Sequence, residues 1–459
     1  MVNKLPFKRY LLWFANEHAN FRFDEIKSIT KLLNIDLKWD CTPEEDPFMI
    51  VETNLEENIK QIAKRSVLMR CIVELWSEAK TKDELHKKLK ELPDQFFMPY
   101  SNPNVSFKVK VEVFGSSQTQ QEKIERIESF NYLPLAGPVK LKNPDVALQY
   151  IEYFGLNPNK ISDIPLNFFF GRIVTDSNRS LITDFSLKKR KFIGNTSMDP
   201  QLSFVMANQA LVKKGDIILD PFVGTGSLLI SAAQFGGYVL GADIDYLMIH
   251  GKSRPTRKQD RHKPRVDESI YQNMVQYNLQ SQYLDVVVAD SSLPLWKPQF
   301  TLDAIITDPP YGVREAMERV GSTRDDKKIS DVHLKTHIPS KIQYSLTELI
   351  SDLLLFSVKH LKMGGRLVTW LPVIRCEYEE NKLPQHSCLK LVGNSEQILS
   401  TTASRRLLTY EKICEPKDDD ILKVEEDEPF RKRYQQHVDE LRKTKSVEKG
   451  VKRKNNENV

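Results

Sequence analysis

The sequence predicts an α/β protein, with a doubly wound parallel sheet in the C-terminal half and a smaller α+β module before it. Three observations carry that prediction. From about residue 195, helical stretches alternate with short apolar strands, the rhythm of βαβ units. The first of those strands runs into a glycine turn, and the second ends in an acid. The first 185 residues instead mix alternating strands with amphipathic helices.

The N-terminal elements follow from periodicity. Arg9–Phe14 and Phe48–Val51 are apolar enough for strands. Phe23–Leu33 places Phe23, Ile26, Ile29, Leu32 and Leu33 at helical spacing. Asn54–Arg65 is a second helix, followed by an apolar stretch to Trp76. Phe107, Val109, Val111 and Val113 alternate with Lys108, Lys110 and Glu112, a half-buried strand with a largely cationic outer face. Gln120–Phe130 reads as a helix, Val146–Phe154 as an apolar stretch, and Phe168–Val174 as β-prone. In the C-terminal half, strands are expected at 217–219, 238–242, 286–289, 304–307 and 367–371, with intervening helices of ten or more residues. The predicted divisions are 1–95, 96–185, 186–415 and a charged tail, 416–459, expected to be disordered or loosely helical.

Composition excludes some classes. Charged residues at 28% and hydrophobic residues at 40% are ordinary for globular protein, and a net charge of +5 permits nucleic-acid binding without requiring it. Cysteines 41, 71, 376, 388 and 414 form no C-x-x-C pair and no zinc-spaced cluster with histidine, so neither metal nor disulfide is expected. The run Leu11–Ala15 is too short for a signal segment, and no stretch approaches membrane-spanning length. The expected location is cytoplasmic, with the nucleus left open.

Asp220-Pro221-Phe222-Val223-Gly224-Thr225-Gly226 joins the first of these strands to an apolar helix. Gly224 and Gly226 permit a tight turn and close approach of backbone to a ligand. The segment lacks the Gly-Lys-Ser/Thr of a Walker loop and the third glycine of a dinucleotide fingerprint. Asp243 follows Asp220 by 23 residues at the next strand end, where Rossmann-like folds hold a ribose diol. Asp290-Ser291 closes the following strand with a third acid, although an acid there also commonly caps a helix.

Asp308-Pro309-Pro310-Tyr311 ends the apolar run 302–307. Two prolines cannot donate ladder hydrogen bonds, so the chain must leave the sheet there. The exit offers a carboxylate, a carbonyl and an aromatic ring, which suit a planar base bearing an exocyclic amino group. An ordinary Pro-Pro turn uses the same residue types, and the strand-end acids weigh against it.

These two motifs, in this order, resemble those of S-adenosylmethionine-dependent amino-methyltransferases. The resemblance makes Asp243 a ligand of the ribose hydroxyls, Asp290 (with Ser291 beside it) a partner of the adenine amino group, and Asp220, Pro221, Phe222, Gly224 and Gly226 neighbours of the methionine moiety. Thr196, Ser197 and Met198 sit where that family has its remaining cofactor-contacting segment. Asp308, Pro309, Pro310 and Tyr311 become the catalytic motif. Val139–Asp145 resembles the signature of the THUMP RNA-binding domain, which implies a ferredoxin-like region (1–95) and a THUMP-like domain (96–185). Arg172, 188–190, 192–199, 206–208, 308–315 and Ser404-Arg405-Arg406-Leu407 extend the likeness to the eukaryotic catalytic subunits of tRNA guanine-10 N2-methyltransferases, over nearly the whole chain.

That resemblance implies tRNA as substrate and a small zinc-binding methyltransferase activator as partner. One of the strands at 217–219 and 238–242 could be an exposed edge open to strand addition. Lys140, Lys142, Lys188, Lys189, Arg190, Arg257 and Lys258 are candidate RNA contacts, the last two within a loop of seven cations at 252–265. Solvated surface is the alternative for each. Alternative activities are amino-methylation of adenine in DNA or of protein glutamine, or a catalytically silent RNA-binding scaffold.

Overall fold

The computed structural model describes residues 8–39, 46–156, 161–249, 268–313, 315–322, 339–417, 420–425 and 430–440. The chain forms two compact units, 1–180 and 181–459.

The first unit is built on one seven-stranded sheet, in the order Lys38–Trp39, Phe48–Thr53, Lys8–Phe14, Met69–Ala79, Asn167–Asp176, Val146–Tyr153, Phe107–Phe114. The apolar stretch leading to Trp76 is the long strand Met69–Ala79, which pairs antiparallel with Asn167–Asp176. Segments 1–95 and 96–185 therefore contribute to the same sheet. Arg172 reinforces that seam: its Nε donates to Glu74 at 2.7 Å, its Nη2 reaches Glu56, and Lys8 takes the other Glu74 oxygen at 2.6 Å. The helices are Arg22–Leu33, Glu56–Arg65, Lys82–Lys90, Asp94–Phe97 and Gln120–Glu128. The last begins with a capping box formed by Thr119 and Glu122.

In the second unit, five parallel strands run in the order Tyr283–Val288, Tyr238–Asp243, Ile217–Asp220, Leu302–Thr307, Leu361–Ile374. Ala403–Lys412 and Leu389–Ile398 then add antiparallel strands. The sheet is thus mixed, where a parallel one was expected. Strand order reverses between Ile217–Asp220 and Leu302–Thr307, and the crevice at such a switch point is where these sheets bind ligands.

Several elements depart from expectation. Two helices are shorter than expected, Ser227–Gln234 with 8 residues and Ile270–Gln276 with 7, while Leu346–His360 reaches 15. None lies between Val288 and Leu302, where Pro294 and Pro298 interrupt the chain. Tyr283–Val288 starts before the expected 286, and Leu361–Ile374 extends well beyond 367–371. Ile217–Asp220 and Tyr238–Asp243 both have neighbours on each side, so neither is an edge; the edge beside them is Tyr283–Val288. In the tail, residues 430–440 are helical. Phe430 is buried against Ile374 and Ala403, and Glu377 holds Arg433 at 3.0 Å and His437 at 2.6 Å. Phe430, with Tyr434 stacked beside it, anchors this part of the tail in a helix, one of the two states expected of it. No described helix is long and apolar enough to cross a membrane.

Candidate active site

Asp220 ends the central strand and is 2% exposed. Its Oδ1 accepts the Thr307 hydroxyl at 2.8 Å and the Phe222 N–H at 3.1 Å. Burial pushes its carboxyl up to about 7, with Asp243 and Asp308 adding to the rise and the two hydrogen bonds opposing it. The chain then turns through Gly224 and Gly226, at φ 50° and 78°. A Cβ on Gly226 would stand 2.7 Å from Ile270 Cγ2, so this position requires glycine for space as well as for backbone.

The Gly224 N–H donates to Asp243 Oδ2 at 2.9 Å, and the Asp245 N–H donates to Oδ1 at 3.0 Å. Asp243 therefore ties the glycine turn to the neighbouring strand end. Burial raises its carboxyl also. Asp290 is buried and accepts the Ser292 N–H at 2.8 Å and the Val320 N–H at 2.5 Å, which joins it to the segment beyond the Pro-Pro loop. Ser291 lines an apolar recess with Pro221, Phe222 and Trp296.

Asp308 leaves the adjacent strand, Leu302–Thr307, with a side chain 22% exposed. The Tyr311 hydroxyl donates to its Oδ1, and Arg405 Nη1 donates to its Oδ2 at 3.1 Å. Burial raises the Asp308 carboxyl, opposed chiefly by the Arg405 charge. Arg405 is itself fixed: its Nε donates to Gln397 at 2.7 Å and its guanidinium lies 4.0 Å from the Trp370 ring centre. Pro309 is buried, Pro310 is partly exposed, and Gly312 at φ 73° turns the loop.

The segment before the sheet closes the site. The Thr196 hydroxyl donates to Glu315, Ser197 Oγ meets Thr225 Oγ1 at 2.7 Å, and Met198 Sδ lies 3.4 Å from Arg405 Nη2. Residues 194–198, 220–226, 308–313 and Glu315 thus meet around Asp308 and Arg405. Sequence reasoning missed the part played by Arg405, although Ser404–Leu407 was among the segments carrying the resemblance. Its 97-residue separation from Asp308 carries no local signal.

Among the candidate RNA contacts, Arg190 is misplaced. It is 6% exposed; Nη1 donates to Ser227 Oγ at 2.8 Å and Nη2 to the Phe185 carbonyl at 3.2 Å. It braces the helix that follows the glycine turn. Lys188 and Lys189 are exposed, as are Lys140 and Lys142 in the first unit. Arg257 and Lys258 lie outside the described residues.

A glycine turn between acid-ended parallel strands, beside an Asp-Pro-Pro-Tyr exit at the switch point, defines a Rossmann-like methyltransferase. Residues 8–179 match the family described as Tmrp11 THUMP N-terminal domain, and residues 188–328 match the RMKL-like methyltransferase domain. The chain is 44% identical to the tRNA (guanine(10)-N(2))-methyltransferase TRMT11 of Gallus gallus, over 91% of this chain and 90% of that protein. For the Homo sapiens protein of the same name, identity is 44% over 90% of each chain. For that of Dictyostelium discoideum it is 37%, over 89% of this chain and 83% of that protein. The crystal structure of TrmN from Thermus thermophilus aligns at a TM-score of 0.42 and 17% identity, over 88% of this chain and all of that one (100%). The chain belongs to the TRMT11 family of tRNA (guanine(10)-N(2))-methyltransferases.

Proposed function

We propose that this protein transfers a methyl group from S-adenosylmethionine to the exocyclic N2 of guanosine 10 in tRNA. One observation carries the chemistry. Asp308 stands at a strand end adjacent to Asp220 and the glycine turn, its carboxylate held by Tyr311 and balanced by Arg405.

The residues suit the cofactor. The glycine turn has no side chain at either positive-φ position, and a Cβ at Gly226 would clash. Asp243 is the acid for the ribose hydroxyls and Asp290 for the adenine amino group, while Asp220 and Thr196–Met198 flank the methionine end. When bound, S-adenosylmethionine supplies a methyl group on a sulfonium, activated for displacement.

The guanine N2 lone pair is delocalised into the ring and is a weak nucleophile. Asp308 and the Pro309 carbonyl each accept one N2 proton, which draws the nitrogen toward tetrahedral geometry and aims its lone pair. Alignment of this kind contributes roughly 7–11 kcal/mol. Asp308 also faces the amine as positive charge develops, and takes the proton that the methylated nitrogen sheds. Tyr311 exchanges its bond to Asp308 for a place against the base, where stacking is worth about 1–3 kcal/mol. The target base must first leave its stack. Lys140, Lys142, Lys188 and Lys189 are proposed phosphate contacts.

A small zinc-binding activator is the proposed partner. The edge strand Tyr283–Val288 exposes Leu284 at 51% and Val288 at 42%, and a strand added there would cover both.

Asp308→Ala tests the reading. Transfer to tRNA is expected to fall on the order of 10²–10³-fold or more, with cofactor affinity by calorimetric titration nearly unchanged. Turnover close to wild type would overturn the role given to Asp308.

A further inference from the structure

The edge of the second sheet far from the cofactor strands carries a side-chain cluster that methyl transfer does not use. Leu389–Ile398 and Ala403–Lys412 pair with Leu389 opposite Lys412, and the Ile413 N–H donates to the Cys388 carbonyl at 2.9 Å. Cys388 and Cys414 therefore lie side by side at the open end of the hairpin, with Cys414 Sγ 4.0 Å from the Ser387 carbonyl. The two-residue strands Gln385–His386 and Leu422–Lys423 continue the sheet, with His386 opposite Leu422. That pairing brings His386 and Asp420 to the same place.

A ring nitrogen of His386, the Cys388 thiol and an Asp420 carboxylate oxygen all lie within 4.8 Å of one another. Cys388 Sγ is 3.1 Å from Asp420 Oδ2. His386 and Cys388 are buried, at 5% and 0% exposure. The Cys388 N–H lies 3.1 Å from His386 Nδ1, which fixes the imidazole ring beside Cys388. Asp420 is oriented from outside the cluster: the Ser387 hydroxyl donates to Oδ1 at 2.6 Å and the Lys417 N–H to Oδ2 at 2.7 Å. Supporting hydrogen bonds of this kind are what hold metal-ligating carboxylates in place.

We propose that His386, Cys388, Cys414 and Asp420 form a structural zinc site that pins the outer edge of the second sheet. Three of these donors already converge, and with the Cys414 thiol drawn in from beside Ser387 two thiolates, an imidazole and a carboxylate would fill four positions and leave none open, as structural zinc requires. Thiolate and imidazole donors together select zinc over the hard cations magnesium and calcium. The site also answers a structural need, because strands of two residues bury too little to hold themselves in register. Spacing conceals it. The donors come as His-x-Cys and Cys-x₅-Asp, separated by a whole hairpin, and meet only once that hairpin has paired.

The test is zinc content by elemental mass spectrometry. Full-length wild type, Cys414→Ser and Asp420→Asn are each purified in the same way, with any subunit that co-purifies, and without added chelator. Cys414 and Asp420 are partly exposed, so both variants should fold, which circular dichroism checks. Wild type is expected to carry about one more zinc per catalytic chain than either variant; zinc held by a partner cancels in the difference. A chelator should lower the melting temperature of wild type but not that of the variants. Cobalt substitution should give a thiolate-to-cobalt charge-transfer band that weakens in Cys414→Ser. Equal zinc in all three proteins, or a Cys388–Cys414 disulfide in the protein as purified, would overturn the proposal.

Discussion

Replacing Arg405 with methionine removes the charge that faces Asp308 while keeping most of the side-chain volume over Trp370. The pair is 3.1 Å apart, with side chains 13% and 22% exposed. At an effective dielectric constant of about 20, that separation corresponds to roughly 5 kcal/mol before solvent screening. Screening at a partly open site reduces it toward the effect usual for a carboxylate beside a cation, about 1–3 pKa units. Burial already raises the Asp308 carboxyl, and Arg405 is the largest influence opposing that rise. Its loss therefore moves Asp308 upward. Asp308 accepts an N2 proton only when ionised, so the acid limb of the kcat profile should move to higher pH by about 1–3 units. Activity should fall at neutral pH and recover in alkali. The assay is kcat against pH for tRNA methylation by wild type, Arg405→Met and Arg405→Lys. Lysine restores the charge but not the planar contact with Trp370, so its limb should fall between the other two. A methionine variant that loses activity equally at every pH, with its acid limb in place, would show that Arg405 does not set the charge of Asp308.

Two other substitutions probe the remaining structure. Asp220 is raised from 3.8 to about 7, so the stability it contributes is fully present below pH 3.8 and is lost as pH rises toward 7. That cost is roughly 4 kcal/mol. Asp220→Asn should weaken cofactor binding yet melt higher than wild type at pH 8, with the gain vanishing near pH 4; parallel melting curves across that range would refute the assignment. Arg190→Gln breaks the contacts with Ser227 and Phe185 and should cost about 2–4 kcal/mol in unfolding, with tRNA affinity unchanged at low temperature. An Arg190→Gln protein with normal melting and weakened tRNA binding would return this residue to the RNA surface.

Legibility in the sequence followed the range of the interactions. The apolar strands were readable because burial on both faces leaves a continuous signal, and the two strand exits were readable because paired glycines permit a positive-φ turn and paired prolines cannot continue a ladder. Arg405 was not readable as the partner of Asp308, since the antiparallel strand carrying it joins the sheet through pairing with Leu361–Ile374. Arg190 misled because a basic run looks the same whether its cations face phosphates or a buried hydroxyl. The sheet edge was misplaced because edge and centre differ by neighbours, not by composition. The helix implied between Val288 and Leu302 is absent because Pro294 and Pro298 break the chain there. Composition left the tail open between disorder and a loose helix, and Phe430 decides for the helix over 430–440.

The central claim is that Asp308 and Pro309 act on an exocyclic N2 amine. It is tested most directly with two tRNA transcripts that differ only at position 10, the position given in the names of the relatives. One carries guanosine there and the other inosine, which has the same ring without the N2 amino group. With labelled S-adenosylmethionine and the protein in its active assembly, the guanosine transcript should yield N2-methylguanosine and the inosine transcript should take up no label. Equal labelling of both, or methyl groups on any other base, would contradict the account.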